Sequence, residues 1–136
     1  MSKGNTLETD VLQLIFQQTA FSWNANTSLF VSLHTADPGE GGTQLTSEAT
    51  YTSYARVTVA RTVGGWTVSN PTATNAATVT FPTSTGGTNT VTHLVIGTVS
   101  SGAGQILYSG ALASSLVVTS GVTPQFPAGS IVTTED

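Results

Sequence analysis

Apolar and hydroxyl-bearing residues alternate along most of this chain with a period of two, the period of a β-strand that buries one face. The first twenty residues differ. There Leu7, Val11, Leu14 and Ile15 recur at helical spacing, Leu12 and Phe16 widen the stripe, and Gln13, Gln17 and Gln18 face away. The pattern predicts one helix over residues 5–20. Asn5 is placed to cap it, with Glu8 three residues on in a capping-box-like pair. Glu8 and Asp10 also lie near the positive end of the helix dipole. Such a helix either packs across a sheet of its own chain or docks on a neighbouring subunit, and the spacing fits both.

The strands follow. Leu29, Val31 and Leu33 alternate on one face, and Asp37-Pro38-Gly39 then breaks the run with turn chemistry. Residues 43–53 read as a long polar excursion. Strand character returns over residues 54–61, with Ala55, Val57 and Val59 inward. Gly64-Gly65 reads as a hairpin turn leading to a return strand at 66–68, and Asn70-Pro71 as another turn. Ala77, Val79 and Phe81 alternate inward. Residues 91–99 are the most apolar run and belong at the centre of a sheet. Residues 105–112, 116–119 and 130–134 are further strands, while Pro124 consigns 122–126 to an edge or a loop. About eight short strands at this spacing predict a mainly β protein. The expected architecture is a single domain over residues 1–136, an antiparallel β-sandwich (28–134) with one N-terminal helix (5–20).

Composition narrows the function. Only ten of the 136 residues are charged, three basic and seven acidic, and about three in ten are Ser or Thr. The outer face is covered with hydroxyls rather than charges. A net charge of −4, with Arg56 and Arg61 as the only basic residues beyond Lys3, excludes the clustered cations that phosphate neutralisation needs, so no nucleic-acid partner is expected. No apolar stretch reaches the roughly eighteen residues of a membrane span. The N-terminus lacks the basic start, apolar core and cleavage site of a signal peptide. There is no cysteine, and a chain of this length needs no disulfide or metal staple. So little charge also means weak repulsion between copies, which suits a permanent place in an assembly.

Catalytic chemistry has little to draw on. His34, Asp37 and Glu40 form the one local cluster, but turn chemistry explains Asp37-Pro38-Gly39, and a metal site wants more converging ligands. His93, beside Leu94 in an apolar strand, reads as a half-buried histidine bonded to a carbonyl or hydroxyl. No Gly-x-Ser-x-Gly elbow, phosphate loop or calcium-loop pattern occurs. No catalytic residue, cofactor or metal is expected. The candidates for an interface are Leu12, Phe16, Trp23, Tyr54, Arg56 and Trp66. Arg56 can pair with Glu48 or Asp37 within the fold, or reach a carboxylate on a neighbour. Trp23 and Trp66, with Tyr51 and Tyr54, can pack in a core or interface, or form an aromatic platform for a host glycan.

The order of several short motifs is more specific than any one of them. Leu29-Phe30-Val31-Ser32-Leu33-His34-Thr35-Ala36-Asp37-Pro38-Gly39-Glu40 is followed by Ser53-Tyr54-Ala55-Arg56, Val79-Thr80-Phe81-Pro82, Val91-Thr92-His93-Leu94-Val95-Ile96, Leu107-Tyr108-Ser109-Gly110-Ala111-Leu112 and Phe126-Pro127-Ala128-Gly129. This series resembles a family of small tailed-bacteriophage virion proteins, often labelled tail-fibre or minor structural proteins, from about Leu7 to Val132. The chain departs from it before Tyr54, where residues 46–53 are bulkier than the family's glycine-rich stretch. The resemblance implies a non-enzymatic virion protein of the tail (fibre, adaptor or minor tail protein), made in the host cytoplasm. Its partners would be other virion proteins and copies of itself. A capsid decoration protein of the head and a carbohydrate-binding adhesin module are the alternatives.

Overall fold

The structure is a computed structural model that describes residues 1–135. In chain order it runs β1 (Ser2–Lys3), α1 (Asn5–Gln17), β2 (Ser28–His34), β3 (Val57–Ala60), β4 (Trp66–Ser69), β5 (Thr72–Asn75), β6 (Val79–Thr80), β7 (Asn89–Gly97), β8 (Ile106–Val118), β9 (Gln125–Phe126) and β10 (Val132–Thr134). Every ladder is antiparallel. The main sheet has the order β1-β8-β7-β2-β3; a second runs β10-β5-β4, and β6 pairs with β9. The mainly β, sandwich-like fold expected from the alternation is present. The strands number more than about eight because β1, β5 and β9 are too short to leave a periodic signal.

The core forms where the sheets face one another. Val31, Leu33, Val91, Leu94 and Ile96 come from the main sheet, and Val79, Phe81 and Ile131 from the segments opposite. The β2–β7 register sets Val31 against Ile96 and Leu33 against Leu94, so the most apolar run sits at the sheet centre as its composition requires. The other face of β2 is buried too, because Ser32 and His34 lie beneath the excursion that follows the strand.

Local details differ from the sequence reading. Gly4, not Asn5, caps α1, and no side chain completes the cap. The Gly4 N–H donates to the Leu107 carbonyl at 2.9 Å and the Asn5 N–H to the Glu40 carbonyl at 3.0 Å. A Cβ on Gly4 would lie 2.3 Å from the Ile106 carbonyl oxygen, so only glycine lets the chain pass this close to β8. The helix ends at Gln17 rather than residue 20, since Gln18 turns left-handed (φ 55°) and its N–H folds back onto the Gln13 carbonyl. Gly64-Gly65 does not close a hairpin. β3 pairs with β2 and β4 with β5, so this turn carries the chain between sheets. Ala55 and Ala77 are exposed because each precedes its strand. Residues 105–112 and 116–119 belong to one strand, β8. It is interrupted by a bulge that sets Leu112, Ala113, Ser114 and Ser115 against the single residue Thr92. β1 covers β8 only at Tyr108 and Ser109.

One buried amide joins the smaller elements. Asn75, 1% exposed, donates to the carbonyls of Ala77 (2.8 Å) and Pro127 (2.9 Å) and accepts from the Ile131 N–H (2.9 Å). Replacing Asn75 with Ala removes these bonds and leaves buried backbone groups unpaired. The expected loss is about 2–3 kcal/mol of unfolding free energy in urea titration, with an unchanged denaturant slope.

Candidate assembly surface

The polar excursion of residues 43–53 is sewn down rather than loose. Its main fastening is an ion pair. The Arg56 Nε and Nη2 donate to the two Glu48 carboxylate oxygens at 2.7 and 2.8 Å, a bidentate pair with the arginine side chain only 3% exposed. The same guanidinium donates to the carbonyls of Val99 (2.9 Å) and Gly102 (2.7 Å) in the β7–β8 connection. The Tyr54 hydroxyl donates to Glu48 at 2.8 Å and accepts the Leu33 N–H at 3.1 Å. Burial pushes the Tyr54 pKa far above its ordinary value. Of the two uses open to Arg56, the fold employs the internal one, with Glu48 as partner.

Two further side chains complete the fastening. Gln44, fully buried, accepts the N–H groups of Thr98 and Val99 at 3.0 Å each and donates to the Val99 carbonyl at 3.2 Å. It fills space a side chain at Gly97 would need, since a Cβ there would lie 2.1 Å from it. His34, also fully buried, donates from Nδ1 to the Thr46 carbonyl at 2.7 Å, which leaves Nε2 to accept the Ser32 hydroxyl at 2.9 Å. Burial is the largest influence on this imidazole and holds its pKa below 6.5, against the opposing pull of the Thr46 carbonyl. The other members of the sequence cluster lie elsewhere: Asp37 accepts the Gly39 N–H in a local turn (2.9 Å), and Glu40 is exposed. Among the described residues no group of three potential metal ligands converges. His93 is half-buried and bonds the Thr92 hydroxyl at 2.8 Å, as its setting suggested.

The aromatic residues do not form one platform. Tyr51 and Tyr54 meet edge to face in the core, and Tyr54 stacks on Phe81. Trp23 and Trp66 instead line a pocket of about 260 Å³ where α1 meets the main and second sheets. Leu7, Val11 and Phe21 line it with them, and among the described residues no charged side chain does. Trp23 is braced by Phe21, which stacks on it at 4.7 Å, and by the Arg61 guanidinium 4.9 Å from its ring. Arg61 is held in turn by carbonyls of the 23–26 loop, the shortest bond being to Asn26 at 2.6 Å. The indole N–H groups of Trp23 and Trp66 are buried without a partner among the described residues.

The helix leaves much of its apolar surface outside. Leu7 is buried and Val11 half-buried, but Leu12 is 57%, Ile15 65% and Phe16 77% exposed. Positions 12, 15 and 16 share one face at the i, i+3, i+4 spacing. Thus the six candidate residues fall in three places. Leu12 and Phe16 lie on the outer helix face, Trp23 and Trp66 in the pocket, and Tyr54 and Arg56 in the internal clamp. The sequence reading placed Ile15 on the inner stripe and left out Phe21. The first is legible from its spacing to Leu12 and Phe16, while the second depends on a tertiary stack that no pattern announces.

A charge-poor antiparallel β-protein, clamped internally and presenting an apolar helix face to solvent, is built as a structural component. The family model described as Podophage GP4 fiber I protein gp80 matches residues 2–134, and the chain belongs to that family. It is therefore a member of a family of tail-fibre-like structural proteins of tailed phages. No curated protein matches it.

Two outcomes follow from the clamp. Arg56→Met strands the Glu48 carboxylate in a largely buried site and lowers the unfolding free energy by about 3 kcal/mol, read by chemical denaturation. His34 makes stability pH-dependent. Its folded pKa lies below the unfolded 6.5, so the unfolded state binds the proton first and stability falls as pH drops below 6.5. The melting temperature is expected to fall between about pH 7.5 and pH 5.5, and His34→Gln to flatten that slope.

Proposed function

We propose that this chain is a non-enzymatic component of the phage tail, as a fibre, adaptor or minor tail protein, and that it works by repetitive assembly. The observation that carries this reading is the outer face of α1. Three large apolar side chains, Leu12, Ile15 and Phe16, stand in water on a protein whose surface is otherwise rich in hydroxyls. An exposed patch of that kind marks a contact surface. Family membership supports a place in the virion among other virion proteins. No helix among the described residues is long and apolar enough to cross a membrane. A decoration protein of the head would share the composition, and the fibre family favours the tail.

The test is immunogold labelling of intact virions with antibody to this chain, viewed by electron microscopy. Label confined to the tail is the expected result. Label spread over the head would establish a decoration protein instead.

A further inference from the structure

Two features of the surface are complementary to each other. One is convex. Phe16 is the one aromatic side chain among the exposed large apolar residues described, and Leu12 and Ile15 flank it. The other is concave, the uncharged pocket of about 260 Å³ lined by Val11, Phe21, Trp23, Leu29, Trp66 and Ala73, among others. An apolar cavity of about 150 Å³ is enough to hold a benzene ring, so this pocket has room for a phenyl group. Among the described residues its lining carries no charge; Thr133, Tyr108 and the two indoles are its polar members and the rest is apolar, so it suits an aromatic or aliphatic occupant over an ionic one.

Phe16 cannot enter the pocket of its own chain by the path its helix offers. Val11 lines the pocket, and Phe16 follows five residues later, about 140° around the helix axis. The knob and the hole therefore face different directions on one molecule, which is the arrangement that lets a second copy supply what the first lacks. Thr9, Gln13 and Thr19 beside Phe16 are uncharged, and the one charge on this helix face, Glu8, lies a turn N-terminal to Leu12 and two turns from Phe16, at the rim of the contact rather than under it.

We propose that Phe16, with Leu12 and Ile15, seats in this pocket on a second copy of the chain. Each copy then both gives a knob and receives one. An aromatic anchor filling a desolvated pocket is the form that binding hot spots take. The proposal rests on the assembly reading above and names the partner of that surface.

The experiment is sedimentation of the purified full chain over a concentration series. Phe16→Asp removes the knob, and Ala73→Phe fills the hole from within. Val11→Glu, which puts a charge into the lining, is a second way to block the pocket should Ala73→Phe disturb packing. Circular dichroism and thermal unfolding check that each variant is folded. The wild-type chain is expected to self-associate, and each variant to sediment as a monomer. Phe16→Ala is expected to weaken association roughly thirtyfold. An equimolar mixture of Phe16→Asp with a pocket variant is expected to form a heterodimer, because one copy keeps the hole and the other the knob.

A wild-type chain that stays monomeric throughout overturns the proposal and assigns the two surfaces to other partners. Folded variants that associate like the wild type, or a mixture that remains monomeric, overturn it equally. These failures are separable from a failure of the tail reading. A monomeric chain whose antibody labels tails refutes only the contact between copies, and an associating chain that labels heads refutes only the tail assignment.

Discussion

The buried ion pair between Glu48 and Arg56 is the constraint on which the polar half of the structure hangs. It ties the excursion after β2 to the entry of β3, and through the carbonyls of Val99 and Gly102 it reaches the β7–β8 connection. Two charges taken out of water cost several kcal/mol each, and mutual attraction offsets that only when the geometry is good and the remaining donors are bonded. Here both conditions hold. The pair is bidentate, the Tyr54 hydroxyl takes a further place on the carboxylate, and two carbonyls receive other guanidinium hydrogens. A chain with only three basic residues places one of them inside. Arg61 is likewise engaged by its own chain, against Trp23 and the loop that carries it.

Much of the fold was legible because burial repeats. Val31 and Leu33 on β2 and the apolar run of β7 announce their faces through simple alternation, and both lie in the core. What escaped has a physical reason in each case. Asn5 looks like a helix cap by composition, yet the chain enters α1 along β8 so closely that glycine is needed one residue earlier. Gly64-Gly65 looks like a hairpin because two strands flank it, but pairing partners are a tertiary choice, and β3 and β4 choose different sheets. By spacing alone the helix carries one apolar stripe with a wide margin. It has an inner set, with Leu7 and Val11 toward the protein, and an outer set of Leu12, Ile15 and Phe16. Among the candidate site residues, Arg56 was correctly linked to Glu48 as one of its options. The pocket formed by Trp23 and Trp66 could not be read from sequence, because its walls come from α1, both larger sheets and the 21–23 loop.

Hydroxyl groups, charge and apolar side chains are divided unevenly over this molecule. The excursion, which composition alone presents as irregular, is fixed by Gln44, His34, Glu48 and the Asn89 side chain, whose oxygen accepts the N–H groups of both Thr50 and Tyr51. Rigidity is thereby built into a segment that carries no regular secondary structure. Of the nine large apolar side chains left exposed among the described residues, four (Leu12, Leu14, Ile15 and Phe16) share one helix, and the other five are scattered over strands and loops.

The bulge in β8 bears on how such a protein survives crowding. Past Ser109 this long strand has no paired strand on its outer side among the described residues, and its side chains from Gly110 to Val118 carry no charge. A straight, uncharged edge of that length would invite indiscriminate zippering of one molecule onto the next. The four residues that swell out opposite Thr92 break its flatness and interrupt the row of evenly spaced donors and acceptors. Where many soluble proteins keep strangers away with lysine, this one does so by shape, which preserves a neutral surface while denying copies a route into open-ended β-aggregates.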